Sequence, residues 1–142
     1  MAGSRTLTII KPDAFGSGKA GRVVAHLESA GFRVVTSRVM HLSTPQAEAF
    51  YDVHKARPFF KSLVAFMTTG PCMPMVLERE NAVLELRTVI GATDPAEAAE
   101  GTVRKLFAVS KESNAIHASD SDENAQRESN FFFAESEIIA AR

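Results

Sequence analysis

Asn114-Ala115-Ile116-His117-Ala118-Ser119-Asp120-Ser121 is the stretch around which the rest of the chain is organised. An apolar pair carries a single His out to its end. A small residue follows, then a Ser-Asp-Ser cluster of the kind that caps a helix. The octapeptide therefore reads as a short strand, a tight turn and a helix N-terminus, with one imidazole at the corner. A helix N-terminus favours anions. An imidazole with an ordinary pKa is a largely neutral nucleophile at cellular pH. The combination points to a His that attacks a phosphorylated compound. A lone His is otherwise most often a core or capping residue.

Working outward, the helix begun at Ser121 runs to about Phe133, with Glu128 two turns in. Phe131, Phe132 and Phe133 form an apolar cluster that requires burial, in the core or at a subunit contact. At the other end of the chain, Thr6-Leu7-Thr8-Ile9-Ile10 alternates and is β-branched, which predicts a strand. Lys11-Pro12-Asp13 ends it. Gly16-Ser17-Gly18-Lys19 lacks the full spacing of a phosphate-binding loop, because Lys19 is followed by Ala20. It reads as a flexible lead into a helix with Val23, Leu27 and Ala30 on one face and Gly31 as terminator. Phe32 to Leu42 is a second strand, with Val34 and Val35 on opposite sides. Ser43-Thr44-Pro45 starts a helix by a hydroxyl cap and an early Pro. Tyr51 and His54 share one face of that helix.

Met73 to Leu77 is a third strand, with Pro74 marking its beginning. Asn81 caps a helix through Val83, Leu86 and Ile90 to Gly91, and Arg87 lies near its C-terminal end. Ala96 to Gly101 is a surface loop with one short helical turn. The order is strand, helix, strand, helices, strand, helix, short strand, helix. This is a duplicated βαβ pattern on one antiparallel sheet, which predicts an α+β ferredoxin-like sandwich.

The bulk numbers agree with such a fold. The chain has 142 residues, which suits one compact domain spanning 1–142, and no linker or repeat interrupts it. It is 45% hydrophobic and 23% charged, ordinary for a soluble protein. A formal charge of -1 exerts no global pull on nucleic acid or membrane, so an anionic ligand must be held by a local group of cations. One cysteine, Cys72, excludes an internal disulfide and a Cys-rich metal site. The uncharged run Ser62 to Leu77 is broken by Gly70, Pro71 and Pro74 and is shorter than a membrane span. Met1-Ala2-Gly3-Ser4-Arg5 carries no secretory pattern. The expectation is a soluble, cytoplasmic protein.

The octapeptide resembles the active-site signature of the nucleoside diphosphate kinases, which runs Asn, two variable residues, His, Gly or Ala, Ser, Asp and a small residue. The resemblance extends over nearly the whole chain, from Thr6 to about Ile138, and is with bacterial members. It implies that Lys11 of the Lys-Pro pair touches substrate phosphates. Tyr51, His54 and the following Pro58-Phe59-Phe60 match a family segment whose Tyr and His lie near the phosphates and whose first Phe stacks on the base. Leu63, one turn later, adds to the apolar side of that slot. Stacking tolerates any base, since every base has a π-surface. Gly91-Ala92-Thr93-Asp94-Pro95 and Gly101-Thr102-Val103-Arg104 match family segments in which the Thr and the Arg bind phosphate. Arg87 and Asn114 join the same nucleotide-binding set.

The implied reaction is transfer of a γ-phosphoryl group from a nucleoside triphosphate, typically ATP, to a nucleoside diphosphate. His117 is the nucleophile and carries the group between half-reactions, so ping-pong kinetics follow. Glu128 holds the far ring nitrogen as N–H, and Ser119 orients Glu128. Magnesium is expected on the nucleotide, with no direct protein ligand and Asp120 reaching it through water. The family assembles as tetramers or hexamers. The chain ends soon after Ile138-Ile139, as in tetrameric bacterial members, so a homotetramer is expected. Three positions depart from the usual family pattern: Ala118 for Gly, Asp122 for a less acidic residue, and Leu106 where an Asp is common. Two other readings compete. An RNA-binding ferredoxin-like module calls for aromatics on the sheet face and a basic surround, which the Val, Ile and Thr strands lack. A phosphohistidine hydrolase uses a similar His but has no use for a base slot at Phe59.

Overall fold

A computed structural model describes residues 3–141. Met1 and Ala2, part of the N-terminal stretch read as lacking a secretory pattern, lie outside the described residues. The elements run β1 (Arg5–Ile10), α1 (Pro12–Gly16), α2 (Ala20–Ser29), β2 (Arg33–Ser37), α3 (Thr44–Phe50), a 3₁₀ turn (Asp52–His54), α4 (Phe60–Met67), β3 (Met73–Glu78), α5 (Ala82–Ile90), α6 (Val103–Phe107), β4 (Ile116–Ala118), α7 (Asp122–Phe132) and α8 (Glu135–Ala141). The strands form one sheet in the order β2-β3-β1-β4, every neighbouring pair antiparallel. This is the expected ferredoxin-like α+β arrangement. No helix among the described residues is long and apolar enough to cross a membrane.

Alternation along the strands splits the core in two. Leu7, Ile9, Val35 and Val76 join Phe50, Met67, Phe132, Phe133 and Ile138 on one face. Ile10, Met75, Leu77 and Ile116 join Val23, Leu27, Leu86 and Ile90 on the other. Val35 and Val34 do face opposite sides. Phe132 and Phe133 are buried, while Phe131 stays partly exposed with its ring edge-on to Phe50 at 5.3 Å. In β4, Ile116 and Ala118 point into the second layer. His117 therefore projects into the first, beneath α3 and α7.

Several boundaries differ from the sequence reading. β2 ends at Ser37 rather than Leu42. Its ladder is bulged between Val34 and Thr36 and paired only as far as Ser37↔Met75. The next residue along β3 is Pro74, which has no N–H to give; its carbonyl still accepts from the Arg38 N–H at 3.1 Å, and a separate Met40↔Cys72 bridge follows. α3 begins as expected, with a reciprocal capping box between Ser43 and Gln46. It stops at Phe50, so Tyr51 and His54 do not lie on it but at the two ends of a 3₁₀ turn. Tyr51 is buried. Asn81 does precede α5, but in the left-handed conformation and without a side-chain cap bond. His117 stands at the middle of its three-residue strand, not at the end. The short helices α1 and α6, and α8 beyond α7, carry no signal strong enough to be read in advance.

Gly91 ends α5 with φ +89°, and a Cβ there would lie 2.6 Å from Thr102 Oγ1. Thr102 caps α6 through the N–H of Lys105, and α6 carries Arg104. Both the backbone angle and the close approach require glycine. Gly91→Ala is therefore expected to lower unfolding stability by about 3 kcal/mol, read as a lower urea midpoint.

Candidate active site

The His117 ring is held from three sides. Phe50 and Tyr51 meet it edge-on, with centroids 5.3 and 6.0 Å away. On the third side Nε2 is 2.7 Å from Glu128 Oε1. Ser119 Oγ donates to the same Oε1 at 2.8 Å, and Arg127 approaches Oε2 at 3.7 Å. Burial pushes the Glu128 carboxyl up. The hydrogen bond from His117, the His117 charge, the Ser119 hydroxyl and Arg127 together outweigh this and hold it below the ordinary Glu range. An ionised carboxylate only accepts, so Nε2 carries the proton, and in the neutral ring the lone pair is on Nδ1. The His117 side chain keeps 18% of its surface open. Its backbone carbonyl accepts from Thr8 Oγ1 at 2.6 Å.

A group of cations stands at the same end of the sheet. Lys11 leaves β1 buried, with Nζ donating to Asn114 Oδ1 at 2.8 Å. Arg104 donates to the carbonyls of Ile116, at 2.8 Å, and of Gly91, at 3.1 Å. Burial, then the charge of Arg104, lowers Lys11 to about 8. Burial, then the charge of Arg87, lowers Arg104 to about 10. Cations crowded this closely, with Arg104 lowering Lys11 and Arg87 lowering Arg104, mark a place built for an anion. Two buried polar atoms point the same way. Arg104 Nε and Tyr51 Oη have no partner, and burial, followed by the charge of Glu128, pushes the Tyr51 phenol well above its ordinary range.

Beside the cations lies a cleft of about 430 Å³ lined by Lys11, Phe59, Leu63, Thr93, Lys111, Glu112 and Asn114. Phe59 is 47% exposed at its mouth, and His54 stacks obliquely against it at 5.5 Å. A second hollow, of about 380 Å³, has Arg87, Thr93 and Arg104 in its wall, so Thr93 borders both. Apart from Asp120, the site residues singled out from the sequence thus fall into two groups. His117, Glu128, Ser119 and Tyr51 form the first. Lys11, Asn114, Arg104, Arg87, Thr93, Phe59, Leu63 and His54 form the second.

Asp120 is exposed. The hydrogen bond from Asn124 holds its carboxyl below the ordinary range against a partial burial penalty, and Arg87 lowers it further. Among the described residues no three His, Cys, Asp or Glu side chains gather to hold a metal ion. Of the departures, Ala118 lies in β4 outside the left-handed region, Leu106 is exposed on α6, and Asp122 accepts from Gly3 N–H at 3.2 Å. The sequence reading missed Lys111 and Glu112 in the cleft wall. They lie in a polar loop without periodicity, and only the fold brings them opposite Phe59.

The sequence model of the family described as "Nucleoside diphosphate kinase" matches residues 4–138. The nucleoside diphosphate kinase of Chlorobium chlorochromatii (strain CaD3) is 58% identical over 135 residues, 95% of this chain and 96% of the relative. That of Myxococcus xanthus is 56% identical over 138 residues, 97% and 95% of the two chains. Among solved structures, a crystal form of the Aquifex aeolicus nucleoside diphosphate kinase superposes with a TM-score of 0.92 at 42% identity, covering 94% of this chain and 97% of that one. A halophilic nucleoside diphosphate kinase from Halobacterium salinarum in complex with CDP gives 0.88 at 36% identity, covering 94% and 89%. With a signature His bonded to its acid on the strand that follows Asn114 of the cleft wall, and with likeness of this extent, the chain belongs to the nucleoside diphosphate kinase family.

Proposed function

We propose that His117 Nδ1 takes the terminal phosphoryl group of a nucleoside triphosphate and passes it to a nucleoside diphosphate bound in the same cleft. The observation that carries this reading is the 2.7 Å bond between Nε2 and Glu128, because it leaves the other ring nitrogen as the only nucleophilic one. The P–O bond to the leaving diphosphate breaks as the N–P bond forms. The ring becomes a cation in that step, and Glu128 stabilises it through Nε2–H. The second half-reaction reverses these bonds on a new diphosphate oxygen. Lys11, Arg87 and Arg104 offset the polyphosphate charge, and Tyr51, Thr93 and Asn114 supply neutral hydrogen bonds. Positioning and electrostatics of this kind are most of what phosphoryl transfer needs.

Phe59 and Leu63 grip the base through its face, which favours breadth over base selection. A nucleotide-borne magnesium fits this donor set, because no carboxylate cluster among the described residues could cage the ion and Asp120 is ionised and exposed within the field of Arg87. When bound with nucleotide, the ion would be held mainly by phosphate oxygens and water, with Asp120 the residue that would meet it through water, and it would screen phosphate charge. We further propose one domain over residues 1–142, a homotetramer and a cytoplasmic location. Sedimentation at micromolar concentration tests the tetramer.

Incubation with γ-labelled ATP and magnesium tests the function. The expected result is label on the protein that is acid-labile and alkali-stable, and that moves to GDP as labelled GTP. Label lost to water instead of GDP supports the hydrolase reading. No label at all overturns the proposal.

A further inference from the structure

Among groups left without a task, Asp13 is tied most closely to the site. It lies in α1, just past the end of β1, and its Oδ2 accepts the backbone N–H of Ala115 at 3.0 Å, although 102 residues separate them. The carbonyl of the same Ala115 accepts from the Lys11 N–H at 2.8 Å. Ala115 has φ +75°, and the Ile116 N–H closes back onto the Asn114 carbonyl at 2.9 Å. That is a γ-turn of the strained hand, which L residues avoid. Asn114 stands on one side of it and His117 just beyond the other. The turn therefore sets how a cleft amide and the nucleophile lie relative to one another.

The other carboxylate oxygen of Asp13 is buried and has no partner. One acceptor suffices for the Ala115 N–H, and an amide would provide it. An unpaired carboxylate oxygen is costly to bury unless its charge acts on something. The nearest use is Lys11. The groups facing that ammonium are Arg104 from α6, Asp13 from α1, Glu112 and Asn114 from the loop before β4, and the Phe66 ring of α4. Burial and Arg104 favour its neutral form, whereas Asp13 and Glu112 favour the charged one.

We propose that Asp13 is a positioning residue for the transfer, its carboxylate clamping the Asn114–Ile116 turn and standing as counter-charge to Lys11. This rests on the reading of His117 as phosphoryl carrier and Lys11 as phosphate contact. Three variants test it. Asp13→Ala relaxes the turn and lowers kcat about 100-fold, the cost of a displaced reacting group. Ala115→Gly in that background recovers about tenfold, because glycine holds a positive φ without the clamp. Asp13→Asn keeps an acceptor for Ala115, so it loses far less kcat at neutral pH than Asp13→Ala. It removes the charge, so the alkaline limb of its kcat/KM profile moves to lower pH. A role confined to folding predicts a lowered Tm and an unmoved alkaline limb.

The proposal is overturned if the limb of Asp13→Asn coincides with wild type, or if a folded Asp13→Ala, Ala115→Gly protein recovers nothing. Should Asp13→Ala fail to fold, the profile of Asp13→Asn decides alone. Label transfer by the wild-type protein is measured alongside. Its absence would defeat the proposed function, whereas its presence with the wrong variant behaviour defeats only the role of Asp13.

Discussion

A His117→Ala variant is expected to lose phosphoryl transfer by at least about 10⁴-fold while still binding nucleotide diphosphate with an affinity close to wild type. The two effects separate because the groups are separate in space. Phe59, Leu63, Lys11, Asn114 and Thr93 line the cleft without relying on the imidazole. The imidazole contributes the only nitrogen lone pair that Glu128 leaves available. Its removal strands Glu128 Oε1 with Ser119 alone. No neighbour offers a replacement nucleophile: Ser119 is fully buried and already donates to Glu128. Isothermal titration with ADP and the labelled-phosphate assay check the two halves. Turnover within about tenfold of wild type would remove His117 from the mechanism.

Lys11→Met is expected to abolish most activity and yet make the protein more stable at neutral pH. The folded chain holds this ammonium at about 8, against 10.5 for an ordinary Lys. Below pH 8 the side chain is charged in both folded and unfolded chains, and the folded state bears the whole penalty of that burial. Between pH 8 and 10.5 the folded form sheds its proton first, the unfolded chain binds more protons, and the penalty fades as pH rises. The shift corresponds to about 3 kcal/mol, of which the orphaned Asn114 Oδ1 takes back about 1. A net gain of about 2 kcal/mol at pH 7, turning into a loss of about 1 kcal/mol above pH 10.5, is therefore expected. Urea unfolding of both proteins across that range reads it directly. Activity should fall about 10²- to 10³-fold, the usual loss when a charge opposite a developing anion is removed. A destabilised Lys11→Met at pH 7 would contradict this account. On the proposed function, a bound polyphosphate would offset the burial penalty that Lys11 carries.

Acid conditions act through Glu128. Its folded-state carboxyl lies below the ordinary Glu value. The stability it adds is present above its unfolded pKa and is lost as pH falls through the depressed folded value. The support behind His117 is lost in the same window.

The reach of local pattern differs from element to element. The alternating β1, the capping box of α3, the periodic face of α2 and the Ser121-capped α7 all follow from residues within a turn or two of one another. α1 and α6 are five residues each, too short for an apolar period to show and too short to form without tertiary contacts. β2 is trimmed by a Pro on a different strand. Tyr51 becomes the lining of the His117 pocket because α3 ends at Phe50, short of the Tyr51 and His54 that its pattern includes, and nothing local announces that.

The sequence by itself determined the order of the strands and of the longer helices and, through the family resemblance of its motifs, singled out His117, Lys11, Arg87, Arg104 and Phe59 as site candidates, because short-range spacing and motif chemistry are written in the chain; Lys111 and Phe50 carried no such signal. Only the tertiary structure decided which imidazole nitrogen is free, how far Lys11 is pushed toward neutrality, and that Asp13 holds a strained turn 102 residues away. Those properties come from desolvation, field and hydrogen-bond geometry, which exist only once distant segments have been packed against one another.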